Sequence, residues 1–186
     1  IRRQRQMCIR DRTKGCDPVH KITIIPRGHA LGVTMMLPQE DRLSMSKQYA
    51  EGMIVYCMGG RAAEALMFGG SRTSGASDDI KKATDIARRM VCQWGMSEEL
   101  GPLTYSEERN AYLGRDMLQH KWFSNASVKM IDTEVRGLLQ DSYQKAFSLL
   151  ETNRQVLDYL ADQLIETETI DGNLVRETLK NPPAIN

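Results

Sequence analysis

The stretch from Met45 to Met67 constrains this chain more than any other. Met45, Tyr49, Met53, Tyr56, Gly60, Ala63 and Met67 recur at three- and four-residue steps, the period of an α-helix. Ser44 is the expected N-cap, because its hydroxyl can accept a bond from a backbone N–H of the first turn. Within that helix Met53-Ile54-Val55-Tyr56-Cys57-Met58 is apolar on every side. A helix apolar all round must be surrounded by other elements, so it predicts a central position in a bundle. Gly59-Gly60 follows inside the same pattern, at a propensity cost of about 1 kcal/mol per glycine. Close packing against a neighbour is the expected compensation.

Four further features complete the bundle. A polar loop, Gly69 to Gly75, leads to a helix starting at Ser77 with the stripe Ile80, Ala83, Ala87, Met90, Val91 and Trp94, stopping at Gly95. A long helix is predicted from about Ser124 to Glu151, carrying Val128, Ile131, Val135, Leu138, Leu139, Ala146, Leu149 and Leu150. Asn153 is expected to cap another, with Leu157, Leu160, Ala161 and Leu164, and Asp171 a short last one with Leu174, Val175 and Leu179. Ahead of all these, Ile22, Ile24 and Ile25, then Pro26-Arg27-Gly28, then Leu31 to Leu37 read as two short strands around a break. The expected fold is mainly α: a helical bundle with a small two- or three-strand β element near the N-terminus.

The charge of the chain is unevenly placed. Residues 1–12 hold five arginines against Asp11, a net +4, whereas the whole chain is +1 and the remainder therefore −3. A nucleic-acid or anionic-membrane arm would carry such charge. A more specific explanation lies in Gln6-Met7-Cys8-Ile9-Arg10-Asp11-Arg12. It back-translates to the mosaic-end sequence of transposon-based sequencing libraries. Residues 1–12 are accordingly set aside as a non-native, adapter-derived segment. Residues 13–181 are read as one domain and 182–186 as a tail, with no nucleic-acid partner expected. No apolar run reaches the roughly 18–20 residues a membrane-spanning helix needs. Cys8, Cys16, Cys57 and Cys92 form no C-x-x-C pair, and the last two fall in helical apolar patterns, which suits a reducing compartment.

The residues themselves offer little catalytic equipment. His20, His29 and His120 have no metal-binding spacing, and no H-E-x-x-H, P-loop or G-x-S-x-G occurs. The most suggestive segment is Thr73-Ser74-Gly75-Ala76-Ser77-Asp78-Asp79-Ile80, a glycine-containing loop that brings two carboxylates to a helix start. Acidic residues there ordinarily complement the helix dipole, and metal ligation is the sharper alternative. Glu64 lies on the apolar stretch Ala62 to Leu66 and must find a partner if buried, Arg61 or a backbone donor being the simplest.

Four motifs in order add a family resemblance. Asp17 to Gly28 with Ala30-Leu31-Gly32-Val33-Thr34 resembles the segment after the zinc helix of FtsH-type ATP-dependent zinc metalloproteases. Gly59-Gly60-Arg61-Ala62-Ala63-Glu64 resembles that family's G-G-R-x-A-E motif, and Thr73 to Ile80 its T-S/T-G-A-S-N-D-I motif. Gln93 to Ser97 with Leu100-Gly101-Pro102-Leu103 is similar to its Q-W-G-F-S…L-G-P stretch. The similarity runs from about Cys16 to about Leu179.

The resemblance implies the C-terminal part of a zinc peptidase domain from a membrane-anchored, ring-forming AAA+ protease, a homo- or hetero-hexamer. Such a protein uses ATP and Mg2+ to unfold polypeptides and cuts them at Zn2+. It sits in a bacterial inner or plasma membrane, or an organelle membrane, through an N-terminal anchor, with this domain on the cytoplasmic or matrix-like side. By the same resemblance Asp79 is the carboxylate ligand of zinc, and Glu64 orients a ligand. Leu31, Gly32, Val33, Thr34 and Met35 form the strand that pairs with substrate. The two zinc histidines and the general base belong to H-E-x-x-H, so no catalytic residue is expected in this chain, which alone is expected to be inactive. Family spacing would put the second histidine near Gln6. Asp78 stands where the motif has asparagine, Ala65 replaces an acid common after Glu64, and the loop after Phe68 is slightly short. Two other functions fit the residues: a non-catalytic homologue acting as an assembly subunit, or an unrelated helical interaction module in which Asp78 and Asp79 are only caps.

Overall fold

The computed structural model describes residues 19–25, 33–36, 44–69, 73–105 and 124–182. Among these, five α-helices and three short strands follow one another: β1 (Val19–Thr23), β2 (Val33–Met36), α1 (Lys47–Met67), α2 (Ser77–Cys92), α3 (Asn125–Thr152), α4 (Arg154–Thr167), β3 (Thr169–Asp171) and α5 (Gly172–Lys180). A 3-10 turn, Ser74–Ala76, leads directly into α2. The expected mainly helical bundle with a small sheet is what forms.

α1 is central, as its all-round apolar middle predicts. It packs on both α2 and α3, which also pack on each other. Ile54 through Gly60 are buried without a break, followed by Ala62, Ala63 and Glu64. Its start differs from expectation: Ser46 caps it, with Oγ accepting from Tyr49 N–H at 3.3 Å, and Ser44 lies outside. Met45 and Met67, at the ends of the stripe, are exposed.

α2 buries Ala83, Ala87, Met90 and Val91 and ends where Gly95 takes φ +59°. A side chain at Gly95 would also press on the Pro102 backbone, 3.0 Å from its Cα, so both conformation and space require glycine here. α3 begins at its predicted cap, Ser124, and buries Val135, Ser142, Ala146 and Leu150, whereas Val128 is exposed. Asn153 is a second departure. Its amide donates to Leu149 O at 2.7 Å, closing the end of α3, and its side chain makes no cap bond to α4. The two helices thus turn on one buried asparagine whose polar group serves the helix behind it.

The sheet has the order β2-β1-β3, antiparallel throughout. β1 carries one extra residue opposite β2 between Val19 and Lys21, a bulge that places His20 out of register. β3 comes from the far end of the chain and pairs Ile170 with Ile22 and Thr169 with Thr23. The Thr23 hydroxyl donates to Glu168 O and accepts from Thr169 Oγ1, both at 3.1 Å. Asp171 then caps α5 as expected, accepting from Asn173 N–H at 2.8 Å. Gly172 lies against β1 so closely that a Cβ would collide with the Val19 carbonyl oxygen. The sheet packs chiefly on α4 and α5, and the buried apolar side chains of both halves form one continuous core.

Candidate functional site

Glu64 is 4% exposed, one turn before the end of the most buried helix. A carboxylate so placed needs close donors, because desolvating an unpaired charge is costly. Arg61, one turn earlier, brings Nη1 to 3.0 Å of Oε2. Thr73 donates twice from across the loop, through Oγ1 to Oε1 at 2.6 Å and through its backbone N–H to Oε2 at 3.4 Å. Both simple partners expected for Glu64, Arg61 and a backbone donor, are thus present, and a hydroxyl joins them.

The Thr73 hydroxyl has a second task. It accepts from Gly75 N–H at 3.3 Å, which caps the 3-10 turn, and Ala76 seats the turn by being fully buried. Two residues later Asp78 and Asp79 stand in the first turn of α2, where negative charge complements the helix dipole. Adjacent helix residues diverge by about 100°, and the two acids differ accordingly: Asp78 is exposed, Asp79 half-buried. The α1 carboxylate therefore holds the loop that delivers Asp79.

Leu31 and Gly32 of the expected substrate strand lie outside the described residues. Val33, Thr34 and Met35 form β2, which among the described residues pairs on one side only and is an edge of the sheet. Met35 is 46% exposed, and the buried Thr34 Oγ1 has no hydrogen-bond partner among the described residues. His20 is exposed on β1; His29 and His120 lie outside the described residues. Among the described residues no three His, Cys, Asp or Glu side chains gather as a metal site would require. Asp79 is an acid in the first turn of α2, and a three-ligand metal site would need further donors beside it.

Two polar contacts were not anticipated from the residues. One is Thr73, hidden in a run of hydroxyl and glycine residues in which any member could have capped the turn. The other ties the Gln93 to Ser97 stretch to α3: buried Ser97 donates to Glu134 Oε2 at 2.8 Å and accepts from Leu100 N–H at 3.2 Å. A serine three residues before a backbone donor was the available signal; its partner 37 residues on was not.

Residues 8–178 match Peptidase family M41, a match that includes the last five residues of the arginine-rich segment. The chain belongs to that family. It is 48% identical over 164 residues to the ATP-dependent zinc metalloprotease FtsH of Acidobacterium capsulatum, covering 88% of this chain and 25% of that protein. The proteins of the same name from Magnetococcus marinus and Photobacterium profundum are 48% identical over 171 residues and 47% identical over 158, covering 91% and 84% of this chain. The chain thus spans about a quarter of the length of these relatives.

Proposed function

We propose that this chain is the carboxylate-supplying, helical part of the peptidase domain of an ATP-dependent zinc endopeptidase. The observation that carries the proposal is the fastening of Thr73 to the buried Glu64, which holds the loop presenting Asp79 at the start of α2. Asp79 gives zinc one carboxylate, and an H-E-x-x-H elsewhere in the whole protein gives two histidines and the general base. Bound zinc supplies an acidified water, the nucleophile for peptide hydrolysis. Glu64 acts behind the ligand by fixing its loop. The strand Leu31 to Met35 receives an extended polypeptide by β-pairing; the edge position of β2 supports this role.

The relatives' name supports ATP and zinc dependence, and the resemblance supports the rest of the assembly. An AAA+ module with ATP and Mg2+ feeds unfolded membrane and soluble proteins into a hexameric ring. The ring is anchored in a bacterial inner or plasma membrane, or an organelle membrane, with this domain on the cytoplasmic or matrix-like side. Residues 1–12, read as adapter-derived, are assigned no part in it, although the family match reaches back to residue 8.

The deciding experiment substitutes the two acids separately in the whole protein. Asp79→Asn is expected to abolish proteolysis and bound zinc while sparing ATP hydrolysis. The loss should exceed the roughly 10–100-fold caused by groups that act only behind the ligands. Asp78→Asn is expected to retain activity, since asparagine is the residue usual in the motif. Full proteolysis in Asp79→Asn, or loss confined to Asp78→Asn, would overturn the ligand assignment.

A further inference from the structure

We infer that Thr73 is a positioning residue for the metal site, a hydroxyl latch that sets where Asp79 stands. The inference rests on Asp79 being a zinc ligand and adds a residue to that site. Bonds converge on Thr73: its hydroxyl and its backbone N–H both donate to Glu64, and the same hydroxyl accepts from Gly75 N–H. The bond to Oε1 is the shortest of them at 2.6 Å, as expected for a hydroxyl donating to a carboxylate.

The geometry makes the latch directional. Glu64 lies on α1, whose position is fixed by burial on α2 and α3. Thr73 is exposed as a residue, so little apolar burial holds it in place; the bonds do. From Thr73 the chain passes through a single 3-10 turn into α2, so few torsions separate the latch from Asp79. Loss of the hydroxyl would still leave Glu64 the bonds from Arg61 and the Thr73 backbone, while Gly75 N–H would lose the Thr73 hydroxyl as acceptor. The buried carboxylate would stay paired and the bundle folded. The loop, and with it the aspartate, would gain freedom.

The test compares Thr73→Val, which keeps the shape and removes the hydroxyl, with Thr73→Ser, which keeps the hydroxyl, and with Asp79→Asn. All three are made in the whole protein. Zinc affinity is read by competition with a chromophoric chelator, amide hydrogen exchange is followed at residues 73–79, and ATP hydrolysis serves as the control. Thr73→Val is expected to weaken zinc by about 10-fold or more, to speed exchange in the loop, and to leave ATP hydrolysis unchanged. Thr73→Ser is expected to restore both zinc affinity and protection. If Asp79→Asn loses zinc while Thr73→Val binds it with unchanged affinity, the latch is refuted and the ligand assignment stands. If Asp79→Asn keeps its zinc, the ligand assignment falls and the latch falls with it. Failure of Thr73→Ser to rescue would show that the methyl packing, and not the hydroxyl, matters, and would also refute the latch.

Discussion

Cys92 shows how one side chain reports its surroundings. It closes α2, half-buried, and burial pushes its thiol pKa up, with the Arg88 guanidinium pulling only partly the other way. A thiol held protonated is a poor nucleophile at neutral pH, so Cys92 is no candidate for covalent chemistry. The sign of its effect on stability follows by linkage. The folded-state pKa is raised, so the unfolded chain loses this proton first. The contribution is fully present below the unfolded pKa and is lost as pH rises through the folded one. Between about pH 8 and about pH 10, around the ordinary thiol range, wild type should lose slightly more melting temperature than Cys92→Ala. Equal slopes in a pair of thermal melts would show that the thiol ionises freely. Glu64, more deeply buried, is met by donors: an arginine, a backbone N–H and a hydroxyl.

Among elements, β3 repays attention because it is three residues long and comes from the far end of the chain. Ile170 is 2% exposed and pairs with Ile22, which is fully buried. Ile170→Ala removes apolar volume from that junction and should cost about 2–4 kcal/mol, measured by urea unfolding. A loss well under 1 kcal/mol would show that the strand is peripheral. This strand was the least legible element in the sequence. Three residues are too few to show alternation, and Thr23, whose hydroxyl meets that of Thr169, lies 146 positions away. The helices were legible because each carries its pattern locally: Ser77, Ser124 and Asp171 mark starts, and Gly95 marks a stop. Duplicated or ambivalent local signals leave a cap undecided. Ser44 and Ser46 can both cap, and the Asn153 amide can donate backwards as readily as its oxygen can accept forwards. In the candidate site, the acids were visible by type and spacing, and Glu64 by its apolar setting. Thr73 was not, because a loop hydroxyl gains meaning only once the fold brings it to a carboxylate nine residues away.

For the molecule as a whole, the expectation for the isolated chain rests on the proposed ligand set and on a sequence without H-E-x-x-H. If Asp79 is the zinc carboxylate proposed above, one such ligand does not make a three-ligand zinc site. The purified 186-residue chain should therefore bind zinc more weakly than micromolar and leave casein uncut. Stoichiometric tight zinc binding in equilibrium dialysis, or casein fragments on a gel, would show that the site has been mislocated. If residues 1–12 are adapter-derived, deleting them should change neither the melting temperature nor the helical circular dichroism; a loss would place residues 8–12, where the family match begins, inside the domain.

The strand order has a consequence for a chain made from one end. β1 is translated long before β3, and the two cannot pair until residue 171 has emerged. At roughly 5–20 residues per second, the 146 positions separating Thr23 from Thr169 take about 7–30 s to synthesise. Throughout that interval the nascent chain carries Ile22 with no Ile170 to cover it and a row of backbone groups open to any other extended peptide. The bundle of α1, α2 and α3 can close first, since its helices are contiguous in sequence, and the sheet must close last. A ribosome pausing near α4 would prolong the vulnerable state, and a chaperone that holds extended apolar segments would find its handle at β1.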